Sequence, residues 1–197
     1  MLKYLFILIG CFGFAQTSLV YVSNGIEKLD INDPNITSLT EFSTFREERN
    51  DTITEYTKKP NRYVVNQYSN SSPMRVQKIF FLNGNIASEN YRFYDVLINT
   101  TKKYDKKGNL IFVQNEEDIS KRMISIPKLV EIIKDNYQVD LMNNNDSERS
   151  FNVRYYNVKI PFYGVTIRQR DTNVYKRIEV NAFDGSIIQE REFRGTK

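Results

Sequence analysis

The chain has no histidine, no tryptophan and a single cysteine, Cys11, among its 197 residues. Without histidine it has neither a Ser-His-Asp triad nor an ordinary His-containing zinc site. One cysteine excludes an intrachain disulfide, a CxxC redox pair and a cysteine-rich metal knuckle. These absences favour a binding function over catalysis, and we expect no cofactor and no metal.

Aromatic residues are abundant, with 13 Tyr and 13 Phe in the chain. The length suits one domain or two small ones, and it is sufficient to bury a sizeable core. Because aromatic side chains bury large apolar areas, they are the main expected source of stability in a chain that lacks disulfides.

Residues 1–15 have the pattern of an export signal. Lys3 supplies the positive charge, and residues 4–9 form the apolar run. Gly13 and Ala15 place small residues three and one positions before a cut ahead of Gln16. The run is shorter than the roughly 20 apolar residues that a transmembrane helix needs. The Phe-Ala-Gln junction also resembles export signals of Bacteroidota, so we expect a periplasmic or secreted protein.

Two other interpretations of the same segment stay open. Residues 8–11 fit a bacterial lipobox, in which Cys11 would become the lipidated N-terminus of an outer-membrane lipoprotein. Phe12 and Phe14 continue the apolar stretch past Cys11, so we favour the soluble signal, with membrane contact only if Cys11 is lipidated. A buried first strand is the third interpretation, and Lys3 disfavours it.

The mature chain divides into three regions by pattern. Residues 16–51 are polar apart from a short β-prone stretch at 18–22, and they predict a loosely held N-terminal arm. Residues 52–122 contain short runs rich in Val, Ile, Tyr, Phe and Thr between turn residues, which predict antiparallel strands in a meander. The predicted strands are residues 52–58, 62–68, 76–82, 90–100 and 110–114.

A weak internal repeat lies within this meander. Residues 80–86 and 104–110 each contain an aromatic residue, a polar turn, Gly-Asn and an aliphatic residue, at an offset of 24 positions. Gly84 and Gly108 permit positive φ at the two turns. The pattern resembles the Bacteroidota variants of MORN-type hairpin repeats. Two ordinary hairpins with similar turn chemistry are the alternative.

Residues 123–197 predict one helix and a second sheet. Ser125 is a natural N-cap and Pro127 suits the first turn of a helix. Apolar residues then recur at three- and four-residue spacing, at Ile126, Leu129, Val130, Ile133 and Tyr137. Four strand candidates follow at residues 151–158, 162–169, 174–182 and 186–193, with Asp184-Gly185 as a tight turn.

Strict alternation in these strands indicates a sheet that is buried on one side only. Tyr163, Val165 and Ile167 share one face of the second strand, whereas Arg168 lies on the other. The helix is the obvious cover for the apolar face. The predicted fold class is therefore α+β: an antiparallel β-meander followed by one helix packed on a four-stranded antiparallel sheet.

The end of this region, residues 177–188, resembles the close of PepSY-like domains, in which a strand leads into an Asp and a Gly-containing turn. The resemblance covers a little over a third of the chain. It implies a small α+β module of exported proteins, sometimes proposed to restrain proteases, with no catalytic residues.

Positive charge is concentrated near the C-terminus. Residues 151–197 carry nine basic and five acidic residues, whereas residues 16–150 carry eighteen and nineteen. Cross-strand partners such as Glu179 and Glu190 would make the basic face an ordinary solvated surface, which we favour. The alternative is a docking patch for an acidic protein or an envelope polyanion such as lipopolysaccharide. Nucleic acid is disfavoured, because the excess is small. The candidate binding residues are Arg154, Arg168, Arg170 and Arg177.

Few residues suggest catalysis. Glu116, Glu117 and Asp118 form the densest acidic run, but adjacent carboxylates diverge, whereas paired catalysis needs them to converge across a cleft. Residues 143–148 are rich in oxygen but lack the pattern of a calcium loop. Ser125 and Lys128 have Ser-x-x-Lys spacing, although Ser125 already serves as a cap. We expect a noncatalytic exported binding or inhibitory module, with an envelope scaffold or a carboxylate-based hydrolase as alternatives.

Overall fold

A computed structural model describes residues 19–115, 124–143, 146–170 and 172–195. The predicted export signal, Cys11 and the acidic run at residues 116–118 lie outside the described residues. The fold class and the C-terminal sheet fall within them.

The described residues form two helices and thirteen strands, and the strands are arranged in three antiparallel sheets. Strands β1–β2 pair as a hairpin, β3–β9 form a seven-stranded meander, and β10–β13 form a four-stranded meander. The elements are β1 (Val20–Ser23), β2 (Ile26–Leu29), α1 (Pro34–Thr37), β3 (Thr44–Arg49), β4 (Thr52–Lys59), β5 (Arg62–Ser69), β6 (Met74–Phe81), β7 (Ile86–Phe93), β8 (Val96–Tyr104), β9 (Leu110–Asn115), α2 (Ile126–Tyr137), β10 (Arg149–Tyr156), β11 (Phe162–Gln169), β12 (Val174–Asn181) and β13 (Ile187–Arg194).

The β-rich α+β class is confirmed, although the seven-stranded sheet dominates it. The single strand predicted at residues 90–100 is wrong, because β7 ends at Phe93 and β8 begins at Val96. Tyr94 has a φ of 51° in the turn between them and is nevertheless buried. A buried aromatic residue at a turn continues the apolar pattern of the strands, which hides the turn from sequence inspection.

The polar N-terminal arm predicted at residues 16–51 is also wrong as a loosely held segment. It contains β1, β2, α1 and β3, and the last of these extends the large sheet. Leu29 and Ile36 are 2% and 0% exposed and belong to one core with Tyr56 and Phe80. These apolar residues are too widely and irregularly spaced to give a periodic signal, yet each is buried against the sheet.

The two repeated turns have the same backbone geometry. Phe81 N donates to Asn85 O at 2.9 Å, and Gly84 N donates to Phe81 O at 2.9 Å. Asp105 and Gly108 repeat both bonds 24 residues later, also at 2.9 Å. Gly84 and Gly108 have φ values of +83° and +88°. Both repeat units are therefore hairpin turns, and the MORN-type resemblance stays a prediction.

The β1–β2 hairpin is held by these turns. Leu29 N donates to Gly84 O at 2.8 Å, and Ile26 packs against Gly108. Lys78 pairs with Glu27 of β2 and lies 3.9 Å from Glu89 of β7. The turn surface is thus covered by a segment of the same chain.

Helix α2 is confirmed with the predicted cap. Ser125 Oγ accepts a hydrogen bond from Lys128 N at 3.3 Å, and Gln138, the residue after the helix, has the left-handed conformation. Leu129 and Ile133 are fully buried against the four-stranded sheet, in one core with Val165 and Ile178.

The four strands predicted after the helix are confirmed to within about two residues at each end. The two-residue turn predicted at Asp184-Gly185 is wrong in length. Five residues, 182–186, connect β12 to β13, and Gly185 has a φ of +79°. Gly185 N donates to Asn181 O at 2.9 Å, and Asn181 N donates to Ser186 O at 2.8 Å, which closes a wider loop.

The turn between β7 and β8 joins the two large sheets. Tyr94 Oη donates to Leu141 O at 2.9 Å, and Asp95 N donates to Val153 O at 3.1 Å. Phe93 and Val96 lie in the same core as Leu129 and the β10–β12 side chains. The predicted meander and the predicted helix-sheet region therefore share a core.

We expect Gly84→Ala to destabilise the fold more than Gly25→Ala. Both glycines have positive φ, so both substitutions carry a backbone cost of about 1–2 kcal/mol. A Cβ at Gly84 would lie 2.7 Å from Leu29 O, whereas a Cβ at Gly25 would lie in open space among the described residues. The added Cβ should push β2 away and weaken the hydrogen bond from Leu29 N to Gly84 O, which should add about 1–3 kcal/mol to the loss of stability. Urea denaturation measures both losses, and equal losses would contradict the docking role of the turn.

We also expect stability to fall between about pH 10 and pH 12 through Tyr163. Burial raises the pKa of Tyr163 to about 12, and its hydroxyl donates to Ile124 O at 3.1 Å. A folded-state pKa above the unfolded value of about 10 stabilises the fold fully below pH 10. That contribution, up to about 2–3 kcal/mol, is lost as pH rises toward 12. Tyr163→Phe should reduce the fall in the unfolding free energy between pH 10 and pH 12, which urea denaturation at a series of pH values measures, and an unchanged fall would contradict this role of Tyr163.

Candidate functional site

The outward face of the four-stranded sheet, away from α2, carries the predicted basic residues. Strand register aligns Arg154 with Gly164 and Glu179 in one row across the sheet. The next row aligns Asn152, Thr166 and Arg177. A third row aligns Ser150, Arg168, Tyr175 and Phe193. The opposite phase, with Val153, Val165 and Ile178, is buried under the helix, so the predicted alternation is confirmed.

A shallow depression of about 330 Å³ lies on this face. Its lining consists of three arginines, three aromatic residues and short polar side chains around one glycine: Ser150, Phe151, Asn152, Arg154, Tyr156, Gly164, Thr166, Arg168, Tyr175 and Arg177. We call it the arginine depression. It contains three of the four candidate residues, and Arg170, at the residue after the end of β11, lies outside the lining.

Stacked aromatic pairs flank the arginine depression. Tyr156 stacks on Phe162 with ring centroids 4.8 Å apart, and Tyr175 stacks on Phe193 at 5.3 Å. The Arg177 guanidinium lies 5.1 Å from the Tyr156 ring centre, and Arg168 lies 5.4 Å from that of Tyr175. Cation–π contact orients each guanidinium while its N–H groups stay available to a ligand.

Gly164 makes room for the Tyr156 ring. A Cβ at this position would lie 2.8 Å from Tyr156 Cε2 and 3.6 Å from Arg177 Nη2. Because glycine lacks that atom, the ring lies close over the sheet surface and within reach of Arg177.

The arginines differ in how far nearby carboxylates neutralise them. Arg154 Nε lies 3.0 Å from Asp95 Oδ2, and this hydrogen bond and charge raise the pKa of Arg154. Arg177 Nε lies 3.2 Å from Glu179 Oε1, an ion pair without hydrogen-bond geometry. Arg168 has no carboxylate within ion-pair distance among the described residues.

The cross-strand partners expected for a neutralised face are only partly in place. Glu179 lies on the outward face beside Arg177. Glu190 lies opposite Ile178 in the inward phase, where it pairs with Lys176 at 3.2 Å and lies beside Tyr137 of α2. Glu190 therefore belongs to the helix-covered side, and it does not neutralise the arginine depression.

Sequence reasoning missed Arg191, which lies directly opposite Arg177 in the β12–β13 register. Arg191 Nη2 donates to Gln189 Oε1 at 2.7 Å, and the residue is exposed. Directly opposed like charges destabilise an antiparallel pair unless something screens them. The Arg177–Arg191 pair depends on the register between β12 and β13, which the sequence does not show.

The other residues singled out from the sequence have structural roles where they are described. Ser125 caps α2, and Lys128 Nζ pairs with Glu131 at 3.1 Å. Asp146 accepts hydrogen bonds from Glu148 N and Arg149 N, at 2.9 and 2.8 Å, which occupies its carboxylate. Residues 116–118, 144 and 145 lie outside the described part of the chain.

A partly buried charge network lies elsewhere, on the covered face of the large sheet. Glu89 interacts with Lys78 at 3.9 Å and with Lys102 at 3.6 Å, and Tyr91 donates to it at 3.2 Å. Burial and the Glu89 charge raise the pKa of Tyr91 to about 12. The network connects β2 to β6, β7 and β8, and we interpret it as structural.

Within the described ranges no three acidic, histidine or cysteine side chains are grouped closely enough to hold a metal ion. Neither helix in those ranges combines the length and apolar character that crossing a bilayer requires.

Comparisons with protein-family models, with curated proteins and with solved structures found no match to the chain. The MORN-type and PepSY-like resemblances therefore stay predictions.

We expect Gly164→Ala to displace the Tyr156 ring with little effect on the fold. The new Cβ would collide with a ring at the end of a side chain, which can turn away without moving the backbone. The unfolding free energy should change by less than about 1 kcal/mol. The ring-proton chemical shifts of Tyr156 and Phe162 should change markedly as their stacking is lost, whereas Thr166→Ala should leave them close to wild type. Unchanged shifts in Gly164→Ala would contradict this role for the glycine.

Proposed function

We propose that the chain is a noncatalytic binding module of an exported protein and that the arginine depression binds an anionic partner. The observation that carries the proposal is the opposed pair Arg177 and Arg191, close to Arg168. A folded sheet gains nothing from two arginines at directly opposed positions, whereas a bound anion gains charge-assisted hydrogen bonds from both.

The surroundings support binding over a purely solvated surface. Tyr156 and Tyr175 hold two of the arginines by cation–π contact, so less side-chain freedom is lost when a ligand binds. Asp95 and Glu179 offset part of the positive charge. We therefore expect moderate affinity with a clear dependence on salt.

Export and the inhibitory role belong to this proposal as well. Export rests on the pattern of residues 1–15, and an inhibitory role rests on the PepSY-like resemblance of residues 177–188. A scaffold function through the repeat hairpins has less support, because β2 of the same chain covers the turns at Gly84 and Gly108. The hydrolase alternative depends on residues 116–118, which lie outside the described residues.

We expect Arg168→Glu to weaken anion binding and Arg170→Glu to leave it nearly unchanged. The two residues are two positions apart, both are exposed, and the charge change is the same, but only Arg168 lines the arginine depression. With sodium tripolyphosphate as the probe at low ionic strength, NMR titration should show at least a tenfold weaker affinity for Arg168→Glu, about 1.4 kcal/mol. The change for Arg170→Glu should stay below about twofold.

The chemical shifts should also locate the probe. Wild-type perturbations should cluster on Thr166, Arg168, Tyr175, Arg177 and Arg191. Equal weakening by both charge reversals would indicate a diffuse effect of net charge, and it would overturn the proposal that the arginine depression is the binding site.

A further inference from the structure

A second pair of opposed arginines lies on the large sheet. Strand register places Arg75 of β6 directly opposite Arg92 of β7. Arg75 is exposed, and its guanidinium lies 5.6 Å from the Tyr68 ring centre, in the same arginine-on-tyrosine contact found in the arginine depression. Arg92 Nε is buried, and among the described residues it has no hydrogen-bond partner.

Asp95 connects this pair to the arginine depression. Arg92 Nη1 donates to Asp95 O at 3.2 Å, and Arg154 Nε lies 3.0 Å from Asp95 Oδ2. Because both arginines contact one residue, their contacting nitrogens lie no more than about 11 Å apart. Arg154 in turn lines the arginine depression. Positive charge therefore continues from one sheet to the other across the β7–β8 turn.

Sheet geometry sets the spacing of the remaining groups. Neighbouring strands are about 4.8 Å apart, and residues two positions apart on one strand are separated by about 6.8 Å. The Cα atoms of Arg154 and Arg177 are then about 12 Å apart, those of Arg168 and Arg177 about 8 Å, and those of Arg177 and Arg191 about 5 Å. These separations spread the positive charge over about 12 Å within the depression, which suits a linear ligand with repeated charges better than one compact anion.

The position on the sheet decides between a sugar chain and a peptide. The depression lies over strands β10, β11 and β12, where backbone N–H and C=O groups are used in the ladder. An extended peptide binds a sheet best at a free edge, where it gains main-chain hydrogen bonds. Here recognition depends on side chains alone, so a peptide would leave its own backbone unpaired.

The side chains suit sugar rings. The exposed ring of Phe193 offers apolar surface against which the C–H face of a sugar can pack, because Arg168 and Arg177 already lie over the rings of Tyr175 and Tyr156. Ser150, Asn152 and Thr166 line the depression and can exchange hydrogen bonds with hydroxyl groups. Arginine forms paired hydrogen bonds with carboxylate or sulfate groups.

We propose that a linear acidic polysaccharide binds along an arginine track that spans both sheets. The track runs over Arg75, Arg92, Arg154, Arg168, Arg177 and Arg191. The proposal rests on the anion-binding function proposed above, names its ligand class and adds the section on the large sheet.

The test uses fluorescein-labelled oligogalacturonates of two lengths, a trimer and a 12-mer, with the full mature chain. Fluorescence anisotropy at about 50 mM and 200 mM NaCl gives the affinities. Three double variants are compared with wild type: Arg75→Gln with Arg92→Gln, Arg168→Gln with Arg177→Gln, and Lys106→Gln with Lys107→Gln. The lysine pair is the matched control, because it removes the same charge at the exposed β8–β9 turn.

We expect the Arg168 and Arg177 variant to weaken both oligomers at least tenfold. The Arg75 and Arg92 variant should weaken the 12-mer at least fivefold and leave the trimer within twofold, since only the longer chain reaches the large sheet. The lysine control should stay within twofold for both. Arg92 also contacts Asp95 in the turn that joins the sheets, so its substitution changes a structural contact as well as the charge. Arg75→Gln alone therefore serves as a second variant. Circular dichroism checks that each protein is folded.

Three results would overturn the proposal, and they separate it from the anion-binding function. If the 12-mer is unaffected by the Arg75 and Arg92 changes but weakened by the Arg168 and Arg177 changes, the track ends at the arginine depression and the proposed function stands. If poly-L-glutamate binds and neither oligogalacturonate does, the polysaccharide class is wrong. If neither polymer nor tripolyphosphate binds, both proposals fail.

Discussion

The two-residue turn between β7 and β8 determines how the parts of the molecule are arranged. Tyr94 has a left-handed backbone and a buried side chain, and its hydroxyl reaches Leu141 O at 2.9 Å. Asp95 binds the backbone of β10 and the side chain of Arg154. Hydrogen bonding satisfies the phenol in an otherwise apolar environment, and burial raises the pKa of Tyr94. The contact between the sheets, and with it the continuity of their basic surfaces, depends on this turn.

Both sheets use the same arrangement of arginine on their outward faces. In each, two arginines are opposed across neighbouring strands, and one member of the pair lies over a tyrosine ring, Arg75 on Tyr68 and Arg177 on Tyr156. Arg168 makes the same contact with Tyr175. An aromatic face attracts a guanidinium through its quadrupole and leaves the edge N–H groups free. Tyrosine therefore offsets part of the repulsion between the like charges but leaves the charges in place, whereas a carboxylate would neutralise them. A surface that is positive and still ordered results.

Sequence patterns predicted the C-terminal half more accurately than the N-terminal half, for a physical reason. In β11 and β12 one face is buried and the other is wet, so Tyr163, Val165 and Ile178 alternate strictly with polar residues. In residues 16–51, Leu29 and Ile36 are buried singly by contacts with distant strands, and such contacts give no local period. Arg154, Arg168 and Arg177 were predictable because strand phase is local. Asp95 and Arg191 were not, since register and the meeting of two sheets are non-local.

Gly164 illustrates how a binding surface forms on a sheet without a cleft. The other residues in the row of Gly164, and those in the neighbouring row of Thr166, all carry side chains. The missing Cβ of Gly164 therefore lets the Tyr156 ring lie closer to the sheet backbone. The ring then lies flat enough to stack on Phe162 and to hold Arg177 at 5.1 Å. Interior strand glycines weaken a sheet through lost packing and added chain entropy. Because Gly164 has an unstrained backbone that alanine tolerates, its place in the row is better accounted for by the shape of the outward face than by folding of the strand.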